Sequence, residues 1–182
     1  ISAITEKGGQ TLTLNDQAPN DSTFDNLRQK FASAAGPHFE RSREFINWRY
    51  RTSPLWDGQI LHVYTGEHYL GYLGVSRVKL LGTQFTVLSD ALLDPDLTAE
   101  ELRSLRFAIV RLALAENSDA VFTMINPENL LAKRILGFPF LPIPDCYLPH
   151  PVPFFVRALS KNAVSLTERK DIYLMLADFD YF

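Results

Sequence analysis

Asp90 is the side chain that most needs a chemical explanation. It lies in the apolar run Val87-Leu88-Ser89-Asp90-Ala91-Leu92, and a carboxylate carried into a sheet interior is costly unless it is paired or put to work. Put to work, it would be a general base taking a proton from an amine or hydroxyl. Paired, it would bind Arg49 or Arg77 and fix the N-terminal helix against the sheet. Trp48, Arg49 and Tyr50 place an indole, a cation and a phenol in consecutive positions. They read either as an acceptor pocket or as a core anchor, Trp48, beside a structural ion-pair partner, Arg49.

Other chemistries find less support. His38, His62, His68 and His150 lack metal-ligand spacing, so no metal is expected. His62 alternates with Ile60 and Tyr64 and fits one side of a strand. Cys146 lies between Asp145 and Tyr147 with no cation to stabilise a thiolate. No Gly-x-Ser-x-Gly elbow or phosphate-binding Walker loop occurs.

Bulk properties narrow the class. A chain of 182 residues that is 46% hydrophobic suits one domain, 1–182, with its own core. A net charge of -3 gives no electrostatic case for nucleic acid. The single cysteine cannot form an internal disulfide, which points to a reducing, cytoplasmic setting. No apolar run reaches the roughly 18 residues that cross a bilayer. The sequence opens at Ile1 without methionine or a basic-then-apolar signal, so a domain excised from a longer protein is expected, with a neighbouring domain as partner.

These residues need elements to hold them. Residues 1–21 are polar, either flexible or a first strand, with a short strand at Thr11–Asn15. Ser22 with Asp25 marks a helix start, Phe24, Leu27, Phe31 and Ala34 follow at helical spacing, and Gly36-Pro37 stops the run. A second short helix is predicted after Ser42. Gln59–Thr65, Tyr69–Leu80 and Gln84–Leu93 read as an antiparallel meander turned at Gly66-Glu67 and Leu81-Gly82. Thr98 and Glu101 form a capping box, ahead of the stripe Leu102, Leu105, Ile109, Leu112 and Ala113. Asn117 ends that helix and Asp119–Ile125 is a short strand, predicted to run parallel to Gln84–Leu93. Asn126 as cap, Pro127 at the first helical position and Gly137 as terminator outline a further helix. Phe138–Tyr147, Val152–Leu159 and Ile172–Ala177 read as strands, although six prolines between Pro139 and Pro153, interleaved with Phe140, Tyr147, Phe154 and Phe155, make a stiff edge or groove wall there.

A meander, then strand-helix-strand-helix, then closing strands resembles the GNAT acyltransferase superfamily. The order is supported by Asn126 eleven residues before Gly137-Phe138 and by Asn47-Trp48-Arg49-Tyr50 with Pro54. With the closing Leu176-Ala177-Asp178-Phe179-Asp180, these resemble a subgroup found near bacterial polysaccharide genes. The resemblance implies an α+β fold with a mixed, mostly antiparallel twisted sheet and helices on both faces. It also implies transfer of an acetyl or acyl group from acyl-CoA to an amine or hydroxyl of a small-molecule or saccharide acceptor. Leu92, Leu93, Thr98, Asn126 and Asn129 would hold the coenzyme, Asp90 would be the base, and Trp48, Arg49, Tyr50 and Tyr147 would face the acceptor. Lys133 stands where many members place a tyrosine that protonates the departing thiolate.

One departure is large. The family's pyrophosphate turn is glycine-rich, whereas this chain reads Asp94-Pro95-Asp96-Leu97-Thr98-Ala99-Glu100-Glu101, without glycine or cation. Each carboxylate there would repel a phosphate charge by about 1 kcal/mol at about 4 Å even in bulk water. The alternative is therefore a GNAT-shaped binding or scaffolding domain that uses no cofactor.

Overall fold

A computed structural model describes residues 2–5, 11–53, 58–80, 82–136, 140–141, 172–175 and 178. Strands β1 (Ser2–Thr5), β2 (Thr11–Asn15), β3 (Gly58–Thr65), β4 (His68–Leu80), β5 (Thr83–Leu93) and β6 (Ala120–Thr123) form one sheet in sequence order. Neighbours are antiparallel from β1 to β5, and β6 runs parallel to β5. The meander and the parallel crossover agree with the sequence reading. This is an α+β fold with a mixed sheet and helices, compatible with the GNAT arrangement and not specific to it.

The helices lie on both faces. α1 (Asp21–Ala35) and α2 (Arg43–Asn47), the latter running into a π-helical turn Trp48–Thr52, cover one face. There Phe24 stacks on Tyr72 and the Tyr50 phenol lies over Gly74. α3 (Ala99–Ala115) lies on the other face, where Arg77 reaches Glu116 and the Thr86 and Ser118 hydroxyls are bonded at 2.8 Å. Thr98 and Glu101 make the predicted capping box in full, and Leu102, Leu105, Ile109 and Ala113 are buried. Asn117 takes the left-handed conformation just past the helix (φ 54°).

Two helix starts differ from prediction. α1 is capped by Asn20, whose Oδ1 accepts from the Thr23 amide at 2.8 Å and also engages the Ser22 hydroxyl. The last helix, α4 (Leu130–Ile135), is capped by Asn129, not Asn126. Asn126 Oδ1 accepts from the Glu128 amide at 3.1 Å, and the Asn129 amide donates to Asn126 O at 3.3 Å. Residues 126–129 thus form a turn that delays the helix by three residues.

His62 is buried within β3, hydrogen-bonded through Nδ1 to the Tyr69 hydroxyl at 3.1 Å. Burial raises the Tyr69 pKa well above the ordinary phenol range, so the phenol keeps its proton. Burial, with Arg43 and Arg51 nearby, lowers the His62 pKa to about 4. An unfolded histidine titrates near about 6.5, so between these values the unfolded chain binds the extra proton and stability falls with falling pH. Urea melts should show a loss on the order of 2–3 kcal/mol across that window that His62→Gln removes. An unchanged pH slope in the variant would contradict a neutral, buried His62.

Candidate functional site

The pairing of β4 with β5 slips by one residue: Gly74 faces Asp90 and Val75 faces Leu88, leaving Ser89 as a bulge. Two residues opposite one bend the strand and re-aim side chains. Ser89 and Asp90 both engage groups of the α1–α2 face: Ser89 Oγ lies 3.0 Å from the Tyr50 hydroxyl, and Tyr72 donates to Asp90 Oδ2 at 2.8 Å. Gly74 has to be glycine, because a methyl group there would overlap the Tyr50 phenol.

Asp90 is completely buried, and its ion-pair partner is Arg41, not Arg49 or Arg77. Arg41 Nε donates to Asp90 Oδ1 at 2.9 Å, Nη1 donates to Phe39 O at 2.9 Å, and Nη2 donates to both carboxylate oxygens of Asp178 at 3.0 and 2.9 Å. The Ala91 amide completes Asp90, and the Met175 amide donates to Asp178 Oδ2 at 2.8 Å. Burial works against the guanidinium's charge, yet the two carboxylates hold the Arg41 pKa well above its ordinary value. Burial raises the Asp178 pKa, with the neighbouring Asp90 charge adding to the effect and Arg41 opposing it. A general base needs a free oxygen within reach of its substrate; here both Asp90 oxygens are engaged and no water reaches them.

β6 pairs with β5 only from Phe85 to Leu88, opposite Ala120 to Thr123. Beyond that point Tyr173 enters the space beside β5. Its hydroxyl donates to Ala91 O at 2.8 Å, its ring meets Phe31 edge-on at 5.0 Å, and the Arg41 guanidinium lies 5.3 Å from its centroid. Residues 172–175 form a strap between two neighbours. The Tyr173 amide donates to Pro37 O at 2.9 Å, the Asn126 amide to Leu174 O at 3.2 Å, and Asn126 Nδ2 to Ile172 O at 2.7 Å.

The turn after β5 is closed by its own side chains. The Asp96 amide donates to Asp94 Oδ1 at 2.8 Å, the Leu97 amide to Asp94 O at 3.2 Å, and the Thr98 amide to Glu101 Oε2 at 2.7 Å. The Glu101 amide donates to Thr98 Oγ1 at 3.2 Å. The turn brings no cation of its own, but the fold supplies two. Lys30 from α1 contacts Asp94 at 2.6 Å and Asp96 at 2.9 Å, and Arg134 from α4 donates to the Pro95 and Leu97 carbonyls. Hydrogen bonds donated to Asp94 and Asp96 raise the Lys30 pKa. A cleft of about 430 Å³ remains between α1, this turn and α4.

The other predicted residues are dispersed. Leu92 and Leu93 are fully buried in β5. Thr98 and Asn129 are helix caps, with Asn129 Oδ1 accepting from the Ala132 amide and its Nδ2 donating to Ala35 O. Lys133 is exposed on α4. Trp48 is 50% exposed, with Phe45 against it, so it is no core anchor, whereas Arg49 and Tyr50 are buried. Tyr147, Cys146, His150, Gly137 and most of the proline-rich segment lie outside the described residues. The sequence reading missed Arg41 and Tyr72 as partners of Asp90, and Asp178 as the second carboxylate on Arg41, since nothing local ties residues so far apart.

No model of a known protein family matches the chain, and no curated protein is significantly similar to it. Among the described residues no cluster of His, Cys, Asp and Glu could hold a metal, and no helix is long and apolar enough to cross a membrane.

Replacing Arg41 with methionine would leave Asp90 and Asp178 buried without their cation, and should cost about 3–5 kcal/mol in chemical denaturation. A loss below about 1 kcal/mol, the level of an exposed pair, would mean that water compensates the cluster.

Proposed function

We propose that this chain is a GNAT-shaped binding or scaffolding domain that does not take up an acyl coenzyme A. The observation that carries this reading is that the chain itself occupies the β5 edge next to the expected contacts Leu92 and Leu93, and several amides of the turn that follows. Tyr173 already fills the Ala91 carbonyl, and the amides of Asp96, Leu97, Thr98 and Glu101 are bonded within their own turn. A pyrophosphate would have to displace the Asp94 and Glu101 side chains and then lie among four carboxylates, with the one nearby ammonium, Lys30, already held by Asp94 and Asp96. Helix N-termini bind anions through free amides, and the capping box has used those of Thr98 and Glu101.

One observation favours a second reading, transfer of an acetyl or acyl group to an amine or hydroxyl acceptor such as a saccharide. β5 and β6 are parallel neighbours whose pairing stops at Leu88 and Thr123, next to the bulge at Ser89. On that reading the β5 backbone would hold the oxyanion and Lys133 would be the proton donor, while Asp90 could be the base only after giving up Arg41 or Tyr72.

Thermal denaturation with acetyl-CoA separates the two. A ligand at about 100 times its Kd adds about 2.7 kcal/mol, which raises the Tm of a chain this size by about 5–10 °C. The expected result is no shift with acetyl-CoA or longer acyl-CoAs. A shift of that size would instead favour the transferase, and Asp90→Asn should then abolish turnover.

A further inference from the structure

We propose that the outward face of α3 is a docking surface for an acidic, amphipathic protein helix. Leu102, Leu105, Ile109 and Ala113 point into the core. On the other side of the same helix, Arg103, Phe107, Arg111 and Leu114 follow at four-, four- and three-residue intervals, which places them in one line along the axis. Phe107 is 38% exposed and Leu114 66%.

Charge names the partner. Arg103 and Arg111 are exposed and have no ion-pair partner among the described residues, whereas Arg77 reaches Glu116, Arg134 is bonded to carbonyls, and Arg106 donates to Ile135 O at 3.0 Å. From Arg103 to Leu114 the stripe is thus basic and apolar, with the exposed Glu100 one turn before it, on a chain whose net charge is -3. A second copy docking α3 against α3 would set these arginines against each other, and like charges across an interface are repulsive. A helix with aliphatic residues between Phe107 and Leu114 and carboxylates opposite Arg103 and Arg111 meets both requirements, in the manner of helix-on-groove recognition. The face lies across the sheet from the Arg41 cluster, so the proposal does not depend on whether a coenzyme binds.

The test uses two fluorescent synthetic peptides with leucines at heptad spacing, one flanked by glutamates and the other by lysines at the same positions. Anisotropy titration of the whole chain should give at least about tenfold tighter binding of the glutamate peptide, weakening with added salt. Arg103→Glu with Arg111→Glu should invert that preference, and Phe107→Ser should weaken the glutamate peptide's binding while melting curves confirm an intact fold. Equal affinity for both peptides, no binding of either, or a preference that survives the double reversal would overturn the proposal.

Discussion

One buried guanidinium holds three distant pieces of this chain together. Arg41, in the loop between α1 and α2, binds Asp90 on β5 and Asp178 near the C-terminus, and the Phe39 carbonyl fixes its remaining arm. Taking these charges out of water is expensive, and their attraction repays the cost only when every donor and acceptor is engaged. Here the Tyr72 hydroxyl and the Ala91 and Met175 amides complete the set. Such a cluster contributes little net stability compared with apolar packing, but it tolerates almost no rearrangement. The bulge at Ser89 aims Asp90, the Pro37 contact seats the strap, and Tyr173 is carried beside β5 as a consequence.

The same economy governs the turn after β5. Phosphate binding at a helix start depends on amides left free and on a positive local field. Asp94, Asp96, Glu100 and Glu101 instead bring negative charge to that end of α3; Glu101 bonds the amide of the cap residue Thr98, and Asp94 the Asp96 amide in the preceding turn. Lys30 and Arg134 approach from separate helices, and their positive charge is spent on carboxylates and carbonyls. What results is a well-capped helix. Its Thr98 and Glu101 amides are already bonded within the capping box.

Much of the framework was legible in the sequence. The meander followed from alternation and turn residues, the α3 start from Thr98 and Glu101, and the parallel pair from the length of the crossover. Those signals act over a few residues. The misplaced α4 start shows where they fail: Asn126-Pro127 fits a cap as well as it fits a turn, and the choice is tied to Ile172 and Leu174, far along the chain. Asp90 was correctly marked as needing a partner, yet Arg41 is no more conspicuous in sequence than Arg49 or Arg77. Trp48 was misjudged because it points outward at the start of the π-helical turn, which buries the two residues after it, Arg49 and Tyr50.

Native-state hydrogen exchange at the Ala91, Tyr173 and Met175 amides tests whether the strap is a fixed wall. With Arg41 clamping both carboxylates, these amides should exchange only through global unfolding, with the free energy measured for the centre of β5. Exchange through a local opening several kcal/mol cheaper than unfolding would mean that the strap leaves β5 within the folded state, and would contradict a fixed wall.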